Sequence, residues 1–366
     1  MLFKNRYAST ILKPLFLLTI IVYLYPYSGK KEQERTVFPR YAAMKTLDYI
    51  REFYLQYGIP LIRDNFPEYQ ERIAVGVVGE GSDAFKYDDE ISLDHDMGLG
   101  FCMWLKAEDY GKIGERLNNL YCNLLSAKGK EFAHKVFGEK AEGYYPRYDK
   151  RRGVFEISDF YKKLLRVKGI GLQGLLIGGK VYNAEECLLA AAVNGEVFRD
   201  DEGTFTAIRN RLLNHYPEKI RRLKIAEELH YFSQGGQSNY PRMMARGDYV
   251  AARLSLDLAL RSALHLAYLL NKTYMPYYKW QRRGLKDMEK LRLLGDILDA
   301  VCLIPVQKGA WASKAYDPRV PNMEDGAVVL LEQAAALILS ELNAQGIVSG
   351  EELFLEAYVG RIVEAS

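Results

Sequence analysis

The residues best suited by type and spacing to do chemistry are Gly81-Ser82 and, after eleven intervening residues, Asp94-His95-Asp96. A glycine-serine pair directly after a strand lets the backbone approach a phosphate. Free N–H groups and the hydroxyl can then donate to its oxygens. On a strand, residues i and i+2 share a face, roughly 7 Å apart at Cα. Asp94 and Asp96 so placed could bind one Mg²⁺ jointly or two between them. Mg²⁺ suits such a site because it takes hard oxygen ligands and the substrate's own phosphates. Paired metals about 3.5–4 Å apart stabilise attacking and leaving oxygens in phosphoryl or nucleotidyl transfer. The competing reading is a solvated acidic loop, since Asp83, Asp88, Asp89 and Glu90 lie close by.

A third carboxylate often completes such a site from a neighbouring strand. Glu156, between Phe155 and Ile157, is the best candidate for ligating a metal or acting as general base, with Asp159 next. Its plain alternative is an edge-strand glutamate facing solvent. Three rival motifs fail on context. Gly79-x-Gly81-x-x-Ala84 spells a dinucleotide fingerprint, but the following acids would crowd the phosphates and no apolar helix opens there. An EF-hand would need a third ligand after Asp96 and a glutamate at position 12. An aspartyl-phosphate phosphatase would need its apolar strand before the two aspartates, where Asp88-Asp89-Glu90 stand instead.

The elements that must position these residues follow from periodicity. Leu47, Ile50, Phe53, Tyr54, Tyr57 and Leu61 predict a helix ending near Gly58-Ile59-Pro60. The β-branched run 73–78 predicts a buried strand leading into Gly79-Glu80-Gly81-Ser82. A second strand is expected over 94–104 and a third over 153–158. Residues 106–137 read as mostly helical. Apolar periodicity then predicts helices at about 184–198, 205–230, 247–271, 284–303, 324–343 and 350–363. Val250, Leu254, Leu258, Ala263 and Leu266 are expected inward, and Gly235-Gly236-Gln237-Ser238 reads as a loop. The fold class is α/β (α+β): a domain at 44–180 with a mixed sheet, followed by an all-α helical bundle at 181–366.

The Gly81-Ser82 and Asp94-x-Asp96 pattern resembles the signature of the polymerase-β-like nucleotidyltransferase superfamily. A wider stretch resembles the bacterial family called domain of unknown function 4037. It comprises Arg72–Gly76, Gly79–Ser82, Asp88–Ser92 and Asp94–Asp96. So does Leu269-Leu270-Asn271-Lys272-x-Tyr274-x-Pro276-Tyr277-Tyr278-Lys279-Trp280. The resemblance runs from about Met44 to at least Gly295. The superfamily implies a mixed sheet carrying both aspartates on one strand. It also implies Mg²⁺-dependent transfer of a nucleoside monophosphate from an NTP, with ATP the expected donor. Gly81 and Ser82 would hold the triphosphate, and Asp94 and Asp96 the metals. The third acid carries over less directly, because about 60 residues separate Asp96 from Glu156. The pairing of such a domain with a helical bundle is similar to antibiotic nucleotidyltransferases at the level of fold.

In the helical half, Lys279 could neutralise phosphate and a neighbouring tyrosine could stack on a base. Interdomain packing with solvated lysines is the alternative. Fifty basic against 47 acidic residues leave a net charge of only +3, which gives no support for a general nucleic-acid surface. Cys102, Cys122, Cys187 and Cys302 form no C-x-x-C pair and read as structural thiols in a reducing, cytoplasmic setting. The scattered histidines make a zinc site unlikely to form.

Within residues 1–43, the apolar run Leu15–Tyr25 has the length of a signal-peptide core. It is shorter than the about 20 residues a spanning helix needs. A clean amphipathic pattern begins at Met44, so the preferred reading is a mis-called extension with no stable membrane span. The leading functional expectation is a nucleotidyltransferase acting on a hydroxyl acceptor, small or macromolecular. The alternatives are a non-catalytic nucleotide-binding module of the same fold and, third, an RNA-end or tRNA-modifying transferase.

Overall fold

The computed structural model describes residues 45–89, 98–137, 151–168, 173–174, 179–312 and 316–366. Asp94, Asp96 and the 1–43 segment therefore lie outside the described residues. The chain forms two compact units. One holds residues 45–225 with Leu264–Gly295, the other Ala226–Ala263 with Asp296–Ser366.

The first unit is an α+β domain built on a mixed four-stranded sheet. Its strands are β1 (Ala74–Val77), β2 (Cys102–Leu105), β3 (Gly153–Glu156) and β4 (Glu196–Arg199), in the order β3-β2-β1-β4. Strand β1 pairs antiparallel with both β2 and β4, whereas β2 and β3 run parallel. All four residues of β1 and of β2 are buried, which explains their continuous apolar runs. Trp104 of β2 stacks on Phe205 at 3.8 Å between ring centroids. Tyr121 closes the start of β2, its hydroxyl accepting from Phe101 N–H and donating to Phe101 C=O, both at 2.8 Å.

The helices of this unit begin with α1 (Thr46–Phe53), a π-helical turn (Tyr54–Gly58) and α2 (Ile59–Asn65). The helix expected to end at Gly58-Ile59-Pro60 instead continues. Pro60 sits in the first turn of α2, where it lacks no needed donor. Next come α3 (Ser82–Phe85), α4 (Ala107–Leu124), α5 (Lys130–Phe137) and α6 (Ile157–Leu165). The segment read as one helix over 184–198 is α7 (Glu186–Val193) followed by β4. Asn194 and Gly195, the latter at φ +64°, stop the helix, and the next residues turn into the sheet edge. The sheet-bearing unit thus runs past residue 180, because β4 supplies a partner for β1. Helix α8 (Thr204–Leu213) ends before Pro217, and α9 (Glu218–Phe232) follows.

The helical unit takes the end of α9, a π-helical stretch (Ser233–Asn239), α10 (Tyr240–Arg246) and most of α11 (Tyr249–Leu270). The chain returns to the sheet-bearing unit for the end of α11 and for α12 (Tyr278–Leu285). It re-enters the helical unit within α13 (Arg292–Leu303), then forms α14 (Gly326–Ala344) and α15 (Glu356–Glu364). The expected loop at Gly235-Gly236-Gln237-Ser238 is helical. A Cβ on Gly235 would lie 2.7 Å from Ser255 O, so the glycine permits a backbone approach that the sequence alone makes look like a loop. Of the residues of helix α11 expected inward, Ala263 and Leu266 are buried, but the three in its first half are not. Val250 is 74%, Leu254 66% and Leu258 37% exposed, while Ala252, Leu256, Ala259 and Ala263 are buried.

Helix α14 is long and apolar enough to cross a membrane by length and composition, yet Leu331, Ala335, Ile338 and Leu342 are buried in the protein. Asp325 caps it, accepting from Ala327 N–H at 2.8 Å, Tyr240 O–H at 3.1 Å and Trp311 Nε1 at 2.7 Å. Gln237 donates to Glu332 and to Leu353 C=O and accepts from Leu355 N–H. The chain after α14 is thereby tied to the π-helical stretch.

Candidate functional site

Strand β1 delivers the chain to a glycine turn with Gly79 at φ +124° and Gly81 at φ +127°, a region side chains with a Cβ avoid. The Asn194 carboxamide clasps this turn from the end of α7. Gly79 N–H donates to Oδ1 at 2.9 Å, and Nδ2 donates to Gly79 C=O at 2.6 Å. Ser82 opens α3 and is 1% exposed, and its buried hydroxyl has no hydrogen-bond partner among the described residues. An orphaned hydroxyl beside a glycine turn suits an incoming phosphate oxygen.

Two of the acids after this turn, Asp83 and Asp88, are buried, whereas Asp89 is exposed. Asp83 is buried and paired with the buried Arg152 guanidinium at 2.8 Å. Asp88 is also buried. Its Oδ2 accepts from Thr46 N–H and Thr46 Oγ1, both at 3.0 Å, and fixes the start of α1. The like-charge crowding expected there is relieved by these partners.

Gly81 and Ser82 line a cavity of about 290 Å³ within the sheet-bearing unit. Lys279 lines the same cavity, so three of the expected nucleotide-binding residues are brought together. Arg151 and Arg166 add positive charge, and Tyr277 and Trp280 add aromatic surface. Lys279 Nζ lies 5.1 Å from the Trp280 ring centre. Arg166, in a left-handed conformation at the end of α6, is 3.8 Å from both Glu80 and Glu185. The start of α7, where Glu185 makes no side-chain cap, contributes Glu185, Cys187 and Leu188 to the cavity lining. Burial raises the pKa of the thiol of Cys187, another lining residue. Burial also raises that of the Cys102 thiol, which reaches about 11. None of the four cysteines is in a disulfide.

The arginines were missed by pattern reading. Two signals were present: Lys150-Arg151-Arg152 immediately before β3, and Arg166 immediately after α6. A second cavity, of about 480 Å³, shares Phe85 with the first. Helix α7 walls both, with Leu188 and Ala191 on one and Ala190 and Val193 on the other. Tyr87, Tyr268 and Tyr274 line the second cavity, and among the described residues no lysine or arginine does.

Glu156 is not brought to this cavity. It is the last residue of β3 and the N-cap of α6, accepting from Ser158 N–H at 2.9 Å and Asp159 N–H at 2.7 Å. The register explains its position. Gly76 pairs with Cys102 and Cys102 with Gly153, so the glycine turn lies beyond the Gly153 end of β3. Glu156 pairs with Leu105 at the opposite end, about 10 Å along the strand. Asp159 is exposed and bonded to Lys162 at 2.6 Å. Among the described residues no cluster of three His, Cys, Asp or Glu side chains is placed to hold a metal. Asp94 and Asp96, the expected ligands, are outside those residues.

Fold and site together define an α+β domain with a helical region and a cavity at a glycine turn, lined by Arg151, Arg166 and Lys279, by the carboxylates Glu80 and Glu185, and by aromatic rings. The family described as Domain of unknown function (DUF4037) matches residues 182–281, from the approach to α7 through Lys279 and Trp280, and so supports that family for the chain. No curated protein and no solved structure matches the chain.

Proposed function

We propose that the protein is a Mg²⁺-dependent nucleotidyltransferase that moves a nucleoside monophosphate from an NTP, ATP in the first instance, to a hydroxyl acceptor. The observation that carries this reading is the cavity uniting Gly81 and the orphaned Ser82 hydroxyl with Arg151, Lys279 and Trp280. The Ser82 O–H and the turn's N–H groups would donate to the triphosphate. Arg151 and Lys279 would offset its charge, and Trp280 would stack on the base. Asp94 and Asp96 would hold Mg²⁺, which would supply further neutralisation of the phosphates. In the reaction, the acceptor oxygen bonds to the α-phosphorus and the bond from that phosphorus to pyrophosphate breaks. The hydroxyl proton passes to solvent or a base. The second cavity, across Phe85, is where an acceptor would wait.

A binding-only module of the same fold is favoured by one observation: Glu156 caps a helix and does not stand at the cavity. Two measurements separate these readings. Mg–ATP at about 100 times its Kd should stabilise the protein by about 2.7 kcal/mol. The Asp94→Asn, Asp96→Asn double variant should lose the Mg²⁺-dependent part. With labelled ATP, GTP, CTP and UTP in cell extract, a transferase puts label into an acceptor and releases pyrophosphate; a binding module does neither. Absence of a thermal shift with every NTP would sink both.

A further inference from the structure

A buried ionisable network lies beside the cavity without lining it. Its centre is Glu186, the first residue of α7, with a side chain only 10% exposed. A buried carboxylate is costly unless hydrogen bonds satisfy it. Glu186 has three donors. His265 Nε2 of α11 lies at 2.7 Å from Oε2, Met275 N–H at 2.8 Å from Oε1, and the Tyr216 O–H at 3.2 Å from Oε2. Burial alone would raise its pKa, but the His265 and Met275 bonds outweigh that and hold it below the usual glutamate range.

The three donors come from separate parts of the unit. Met275 stands two residues before Tyr277, in the segment that carries Lys279 and Trp280 to the cavity. The residues after Glu186, Cys187 and Leu188, line the same cavity. Tyr274 is held by rings, 4.6 Å from His215 and 5.1 Å from Tyr216 between centroids. One carboxylate thus joins the start of α7 to the segment that carries Tyr277, Lys279 and Trp280 to the cavity. A hydrophobic residue could fill the volume at no loss of stability, but it could not fix both segments to one set of atoms.

We infer that Glu186 is the positioning residue that holds the Tyr277–Trp280 wall against Gly81 and Ser82. Only the identity of the ligand rests on the nucleotide reading above.

The test uses the full chain labelled with 5-fluorotryptophan, whose three lines report Trp104, Trp280 and Trp311, the Trp280 line being assigned with Trp280→Phe. In Glu186→Ala without ligand, the Trp280 line should move by more than its width while those of Trp104 and Trp311 stay. Glu186→Gln, which keeps an acceptor for Met275 N–H, should move it less. Mg–ATP affinity, read from the same line, should fall about tenfold in Glu186→Ala, as expected for losing charge-assisted hydrogen bonds. A wild-type Trp280 line indifferent to every NTP would remove the nucleotide reading and leave the ligand-free shift to decide the positioning role. A Trp280 line unchanged in folded Glu186→Ala overturns that role. So does collapse of all three lines in both variants, which marks Glu186 as a general stabiliser.

Discussion

Ser82 and Glu156 show what a residue's type can and cannot convey. Both were legible as candidates, one as a hydroxyl after a glycine turn and the other as an acid on an apolar strand. Ser82 is found buried at the turn, its oxygen without a hydrogen-bond partner among the described residues. Glu156 satisfies the first N–H groups of a helix, because the parallel register of β3 carries it away from the turn. Sequence shows the acid and its strand but not the direction in which that strand runs beside its neighbour. His215 was read only as one of five scattered histidines, and it carries a pH prediction. It is 2% exposed, and burial is the largest cause lowering its pKa to about 4. The unfolded chain binds its proton near the ordinary 6.5, the folded chain only near 4. Its contribution is therefore full above pH 6.5 and is lost as pH falls from there to about 4, roughly 3 kcal/mol in all. In urea unfolding at a series of pH values, His215→Phe should lack this portion of the acid destabilisation. Comparing slopes removes any pH-independent cost of the left-handed backbone at this position. An identical slope in both proteins would show that another group controls the acid limb.

At the scale of elements, β1, β3, α11 and α14 match the expected spans closely, because each is a continuous apolar pattern bounded by turns or caps. The misreadings share a cause: glycine and asparagine act through neighbours distant in sequence. Gly235 and Gly236 signal a loop by composition, yet a helix lies across them and needs their missing side chains. Gly235→Ala should therefore cost about 1–3 kcal/mol, since its Cβ would meet the Ser255 carbonyl and not a side chain able to rotate away. The midpoint of urea unfolding reads this directly. An unchanged or raised midpoint would mean that the two helices separate freely. Helix α11 shows the converse limit. Its periodicity supports two apolar faces, and the one chosen for the interior is the face lined with alanines, Ala252, Ala259 and Ala263, which lets a neighbouring helix come close.

For the whole molecule, 50 basic and 47 acidic residues leave little charge for general attraction to nucleic acid. The cations that matter are gathered locally, Arg151, Arg166 and Lys279 around one cavity. A labelled tRNA should give no gel shift at physiological ionic strength, and any shift at low salt should vanish steeply on adding salt. A shift that survives at physiological ionic strength would restore the tRNA-modifying alternative.

The sequence alone determined the first strand, the glycine turn, the mixture of sheet and helices, and the family resemblance that residues 182–281 support. These are local or composition-borne properties, written in periods of two and 3.6 residues and in the φ that glycine permits. Only the tertiary structure decided that β4 completes the sheet, that Glu156 stands at its far end, and that Lys279 and Trp280 meet Ser82 at one cavity. Those facts depend on pairing register and on contacts between residues up to about two hundred positions apart, which periodicity cannot encode. The Gly81–Ser82 turn was evident from neighbouring residues, whereas the wall facing it comes from the far part of the chain.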